Sequence, residues 1–173
     1  DASKVADRLG KKIPKPKHKV KCFANIKGGV GKSTASSQFA MRASSLGIKT
    51  LLIDLDPQAH ATRVLGITLE KELPTIGEVL DEEFSISEVI VEVTPLLSII
   101  PSSLNLSMVD RTLDRMTNRE RRLSQLLAPI RNDWDLIVLD TNPSPSTLNA
   151  NAYLASDELC IVVATDLLSV NGL

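Results

Sequence analysis

Short apolar runs recur along the chain at 20–26 ("VKCFANI"), 49–54 ("KTLLID"), 96–101 ("LLSIIP"), 134–140 ("WDLIVLD") and 158–164 ("ELCIVVA"). Each has strand length, and the near-continuous apolar character is that of a strand covered on both faces. Between them lie amphipathic stretches that predict helices at 33–46, 76–81, 86–91, 105–116, 119–128 and 147–156. In the first of these, Phe39, Ala43 and Leu46 fall on one face at helical spacing beside the small Ala40, and Gly47 is placed to end it. Strands alternating with helices predict an α/β fold, a mostly parallel sheet with right-handed crossovers and helices on both faces. No internal repeat or low-complexity segment is visible.

Composition changes this picture only at the N-terminus. The 173 residues are 43% hydrophobic and 24% charged, ordinary for one globular domain. Within residues 1–21, however, eight Lys/Arg against two Asp make the stretch +6 and leave the remainder −7 of a net −1. Such a basic leader attracts nucleic acid or an acidic surface when it is not simply solvated. It holds a helix-compatible "SKVADRLGKK" and then "IPKPKHK", where Pro14 and Pro16 exclude regular structure. Residues 1–19 are therefore expected to be a basic linker, or the tail of an upstream region, and 20–173 the folded domain. The start at Asp1 and the stop at "SVNGL" are those expected of a fragment incomplete at its C-terminal end. Cys22 and Cys160 lack a C-x-x-C partner and read as structural thiols, not as zinc ligands or a disulfide. No run approaches the ~18 apolar residues of a membrane span, and no signal peptide is visible, so a cytoplasmic location is the expectation.

The first strand leads into "ANIKGGVGKST" and then a helix. Glycines between a strand end and a helix start gather backbone N–H groups around one point, which suits a phosphate. Gly28, Gly29 and Gly31 let the backbone approach, Lys32 reaches the β- and γ-phosphates, and the Ser33 hydroxyl suits Mg²⁺. A phosphate loop of the common form opens on a glycine that would fall at Ile26; a second lysine, Lys27, follows that position instead. A dinucleotide fingerprint fails because its third glycine would fall at Thr34. The second strand ends in "DLDPQ", where Asp54 and Asp56, two apart on extended chain, point the same way, and Pro57 favours that conformation. One carboxylate there can hold metal-bound water while the other orients the attacking water; capping of a strand exit is the plainer role. "DLIVLDTNPSPS" delivers Asp140 to a third strand end, placed to bind Mg²⁺ through water, with the loop at 141–146 able to sense the γ-phosphate.

"KGGVGKST", "LLIDLDPQ" and "DLIVLDTNPSPS", in this order, resemble the deviant Walker A ATPases, P-loop NTPases that include ParA, Soj and MinD. "LSIIPSSLNL" and "SVNGL" resemble the ParA branch, and the likeness runs from about Val20 to the end. The resemblance implies that Lys27 is the signature lysine reaching across a nucleotide-sandwich homodimer to the partner's phosphates. It implies nucleotide contacts from residues 27–34, including Val30 and Thr34, catalytic roles for Lys27, Lys32 and Asp56, and a Mg²⁺ site of Ser33, Asp54 and Asp140. Switch II would comprise Thr141, Asn142 and Pro143; the family commonly places two prolines closely after this Asp, whereas Asn142 precedes Pro143 here.

The activity implied is Mg²⁺-dependent ATP hydrolysis that drives plasmid or chromosome partition. In it, ATP-bound dimers hold non-specific DNA on the nucleoid until a ParB-like centromere-binding partner stimulates hydrolysis. Adenine recognition and DNA contact lie in the family's later C-terminal part. A MinD-like membrane-cycling ATPase shares the three motifs, but "DLDPQAHAT" favours ParA and no stable membrane association is expected. An iron-sulfur relative would need interface cysteines, and both cysteines here sit in strands. A nucleotide-dependent DNA-binding adaptor or repressor, with 1–20 the tail of a helix-turn-helix, is the alternative from another class.

Overall fold

A computed structural model describes residues 16–68, 73–113 and 118–164, with the side chains of 110 and 111 excepted. The "SKVADRLGKK" piece, the end of the 105–116 helix and "SVNGL" lie outside the described residues. Six strands form one sheet in the order β3-β4-β2-β5-β1-β6. They are β1 (Lys19–Ala24), β2 (Thr50–Leu55), β3 (Val91–Thr94), β4 (Leu97–Ile100), β5 (Leu136–Thr141) and β6 (Glu158–Ile161). All neighbours pair parallel except β3 and β4. The helices are α1 (Lys32–Ser45), α2 (His60–Val64), α3 (Ile76–Leu80), α4 (Leu106–Leu113), α5 (Arg122–Leu127) and α6 (Thr147–Ala155). This is the mostly parallel α/β architecture expected from the apolar runs, and the P-loop NTPase fold that the motif resemblance implies.

Strand periodicity divides the core in two. Val20, Cys22, Leu51, Ile53, Ile137 and Leu139 face α3 to α6 and pack with Ile76, Leu106, Leu123 and Leu148. Phe23, Leu52, Leu136 and Val138, one residue out of phase, face α1 and α2 and pack with Ala40, Ala43, Ala61 and Leu65. Emptying either layer, for example by Leu→Ala at a fully buried position, costs on the order of 2–5 kcal/mol.

Several boundaries differ from the pattern-based expectation. The helix expected at 86–91 is a 3₁₀ turn, Ile86–Val89, followed at once by β3. Residues 91–94, "VEVT", alternate in burial as an edge strand does, while the helical spacing of the preceding "ISEV" masked the change of period. The 119–128 segment divides into a 3₁₀ turn at Arg119–Arg121 and α5. On α1 the buried stripe is Lys32, Ser36, Ala40 and Ala43, whereas Phe39 is 38% exposed at the rim, 5.5 Å between ring centroids from Phe23. The small residues bring α1 close to the sheet, and the large ring is turned out because nothing there has room for it. Gly47, at φ 86°, supplies the left-handed residue after the helix.

β6 is the outer strand beside β1 among the described residues, and it keeps Leu159, Ile161 and the following Val163 exposed. Cys22 is wholly buried, with its thiol pushed up to about 12 by burial first and then by Asp140 and Cys160; Cys160 is half-buried. Both are free thiols. Among the described residues no helix is long and apolar enough to cross a membrane.

Candidate functional site

The carboxyl ends of β1, β2 and β5 lie side by side, because β5 inserts between β1 and β2. Three chain exits therefore meet at one edge, where open α/β sheets place their ligands.

The first exit is the glycine loop. Asn25 anchors its base: the buried side chain donates to the Val162 carbonyl at 2.8 Å and accepts the Lys27 N–H at 2.8 Å. Gly29 (φ 74°) and Gly31 (φ 90°) take left-handed conformations that an L side chain adopts only at a cost. At Gly28 an added Cβ would sit 3.8 Å from the Pro143 ring, so the loop runs close to the third exit. No side chain caps the first turn of α1, which leaves its N–H groups to an anion. Lys32 is 6% exposed, and its ammonium donates to the Lys27 carbonyl at 3.2 Å. Burial lowers its pKa, against the pull of Asp140 and Asp56.

The second exit carries Asp54 and Asp56, which are 0% and 7% exposed. Asp54 Oδ1 accepts the Asp56 N–H at 3.0 Å; Oδ2 accepts the Thr62 N–H at 2.9 Å and the Thr62 hydroxyl at 2.8 Å. Burial nevertheless raises its pKa to about 6, outweighing these bonds, with Asp56 adding to the rise. Asp54 is expected among the magnesium ligands; three of its roughly four acceptor positions are filled by the protein itself. Asp56 accepts the Gln58 N–H at 2.9 Å through Oδ1 and faces the cleft.

At the third exit Asp140 lies opposite Asp54 in the β2–β5 register. It is wholly buried, and neither carboxylate oxygen has a hydrogen-bond partner among the described residues. Burial first, and then the Asp54 charge, raise its pKa to about 7. The nearby hydroxyls of Ser33 and Ser36 pull against that rise without closing a well-formed bond. A buried carboxylate left bare is costly, and a hydrated divalent cation beside the Ser33 hydroxyl would relieve it. The donor set thus fits magnesium at Asp140 and Ser33. No group of three or more His, Cys, Asp or Glu is placed for a metal among the described residues, so remaining ligands would be water and phosphate.

Thr141, expected in the switch II loop, is the last residue of β5, and its buried hydroxyl donates to the Phe23 carbonyl at 2.8 Å. It ties the two strands together. The loop proper starts at Asn142, whose Oδ1 accepts the Ser144 N–H at 3.0 Å and the Asn149 amide at 3.0 Å. This side-chain turn does the work of a second proline in fixing the loop. Pro143 lines the cleft.

The cleft encloses about 530 Å³ between Gly29, Lys32, Thr34, Asp56 and Pro143. Gln58, His60 and Arg63 complete its wall and were absent from the sequence-based site. They follow Asp56 directly, and the return of the chain past a strand-end carboxylate was the available signal. A larger groove of about 750 Å³, at the far end of α1 by Met41, Val93 and Leu97, brings together no carboxylate.

The family described as "AAA domain" matches residues 18–173. Among curated proteins, the cell division protein PomZ of Myxococcus xanthus is 40% identical over 157 residues, which are 90% of this chain and 49% of PomZ. The chromosome partitioning protein ParA of the same organism is 35% identical, over 88% of this chain and 54% of its own length. The sporulation initiation inhibitor protein Soj of Bacillus subtilis is 32% identical, over 90% and 62%. The chain belongs to the ParA-type partition ATPase family. It spans about half the length of the curated relatives named first. Two solved members share the fold. A plasmid partition protein of Borrelia burgdorferi bound to AMPPNP superimposes with TM-score 0.79 at 34% identity, covering 92% of this chain and 67% of that one. The Cyanothece McdA–ATP complex does so with TM-score 0.84 at 25% identity, covering 91% and 60%.

Proposed function

We propose that this chain is the nucleotide-binding part of a ParA-type ATPase that hydrolyses ATP with Mg²⁺ to drive partition of plasmid or chromosomal DNA. The observation that carries the reading is the convergence of the uncapped α1 N-terminus, the buried Lys32 ammonium and Asp56 in one cleft, with the bare Asp140 carboxylate buried behind it near Ser33. Solved relatives bound to ATP or AMPPNP support the ligand.

In this reading the amides of residues 28–34 and Lys32 hold the phosphates, while Ser33 and Asp140 hold the metal. Magnesium, when bound, neutralises phosphate charge and polarises the γ-phosphoryl group. Asp56 orients the attacking water, Asp54 stands behind it as a support, and Asn142 and Pro143 shape the wall facing Gly28. Lys27 serves the nucleotide of a second subunit. ATP binding then favours a homodimer that holds non-specific DNA on the nucleoid, and a ParB-like partner shortens that state by stimulating turnover. One relative at 40% identity is a cell division protein, which favours as a second reading a role in cell division by the same cycle.

The test is ATP turnover by the intact protein, with and without Mg²⁺, DNA and a ParB-like partner. Lys32→Ala should abolish nucleotide binding. Asp56→Ala should keep binding and dimerisation while slowing hydrolysis ~100-fold or more. Lys27→Gln should disturb the dimer-dependent steps alone. Absence of stimulated turnover under every combination would favour a nucleotide-dependent DNA-binding adaptor instead.

A further inference from the structure

Thr62 is 0% exposed and lies on α2, and its side chain does not line the nucleotide cleft. Its hydroxyl donates to Asp54 Oδ2 at 2.8 Å and accepts the Ser102 N–H at 3.1 Å. Its own N–H donates to the same Asp54 oxygen at 2.9 Å. Asp54 in turn accepts the Asp56 N–H through its other oxygen at 3.0 Å. One carboxylate thus clasps the segment 54–62 at both ends: at the point where Asp56 leaves the strand, and at the helix that closes the segment. The Ser102 amide extends the chain of bonds to the loop after β4, a different part of the sheet edge.

The segment needs such a fastening. Ala59 is held at φ 52°, a left-handed conformation disfavoured for alanine, and the Asp56 carbonyl accepts the Ala59 N–H at 2.8 Å. A strained turn persists only where its surroundings over-determine it. Among the described residues the hydroxyl of Thr62 is the one atom that bonds to both Asp54 and the 102 backbone, and no apolar side chain of the same shape can do so.

We infer that Thr62 is a positioning residue for hydrolysis: through Asp54 it fixes where Asp56 presents its carboxylate, and through Ser102 it links that placement to the loop following β4. The inference rests on the ATPase reading for its catalytic consequence, while the clasp itself does not depend on it. Positioning residues act on turnover more than on ground-state binding.

Thr62→Val, Thr62→Ser and the parent should be compared as intact proteins by steady-state ATP hydrolysis and by amide hydrogen exchange over 56–62. Expected for Thr62→Val is a fall in kcat of ~10-fold or more with KM within ~3-fold, and faster exchange at Asp56 and residue 62. Thr62→Ser, which keeps the hydroxyl, should recover most of both. Parent-like kcat in Thr62→Val, or a Thr62→Ser variant as impaired as Thr62→Val, overturns the inference. If the parent itself turns over no ATP, the ATPase reading falls, and exchange decides the clasp: faster exchange in Thr62→Val upholds it, unchanged exchange overturns it.

Discussion

Asp54 and Asp140 face each other across two parallel strands, both wholly buried, and yet they live in opposite chemical conditions. Asp54 accepts three hydrogen bonds from its own chain, whereas both oxygens of Asp140 have no hydrogen-bond partner among the described residues. The same residue type at the same sheet level thus does two jobs. One carboxylate spends its acceptors on holding a loop, and the other leaves them open, as the proposed cation site requires. Burial raises both pKa values, and further in Asp140, where no well-formed bond compensates for lost solvation.

The comparison breaks most sharply in a pair of variants. Asp140→Asn should lower Mg²⁺-dependent hydrolysis ~100-fold or more while leaving metal-free stability equal or higher, because an uncompensated buried charge is removed. Asp54→Ala should instead unfold more readily, by about 1–3 kcal/mol, since it orphans the Asp56 and Thr62 donors. Denaturant midpoints and turnover measured on both proteins check the contrast; matched losses of stability would show that the two carboxylates are equivalent.

A smaller effect follows from pH. Both folded pKa values, about 6 and about 7, lie above the ordinary 3.8, so between these limits the folded protein holds more protons than the unfolded chain. Stability without metal should therefore be greatest near the low end of that window, fall as pH rises through about 6 and about 7, and level off above. Asp140→Asn should abolish the fall above about pH 6 and lessen it below. Metal binding, which needs the carboxylate deprotonated, should release protons below about pH 7, visible as buffer-dependent heats in calorimetry.

The smallest effect sharpens the Asp54 side alone. Ala59→Gly should stabilise the fold by about 0.5–1 kcal/mol by relieving the left-handed alanine, with the denaturant midpoint as the measure.

Much of the cleft was legible in the sequence because its parts are local. Strand ends are announced by apolar runs, and Gly31, Lys32, Asp56 and Asp140 stand directly after or within them. What escaped is tertiary. One oxygen of Asp54 is held by Thr62, whose hydroxyl then meets Ser102, forty residues further on. No spacing rule foretells that meeting. Thr141 was read as loop because "TNPSPS" looks irregular throughout, yet its hydroxyl bond to Phe23 carries the strand one residue further. The five-residue α2 is too short to leave a periodic trace, and with it Gln58, His60 and Arg63 went unseen at the cleft wall. Phe39 misled for a different reason. A large apolar residue at helical spacing predicts a buried face only when the sheet leaves room, and the close approach of Ala40 and Ala43 took that room away.

The two outer strands bear on handling. β3 is short and carries exposed Glu92 and Thr94, a charge and a polar group that discourage edge-to-edge pairing. Among the described residues no strand lies outside β6, which carries exposed Leu159 and Ile161 beside a Glu158 paired with both Lys19 and Lys21. An edge of this kind, carrying apolar side chains, is a template for β-addition by a further strand.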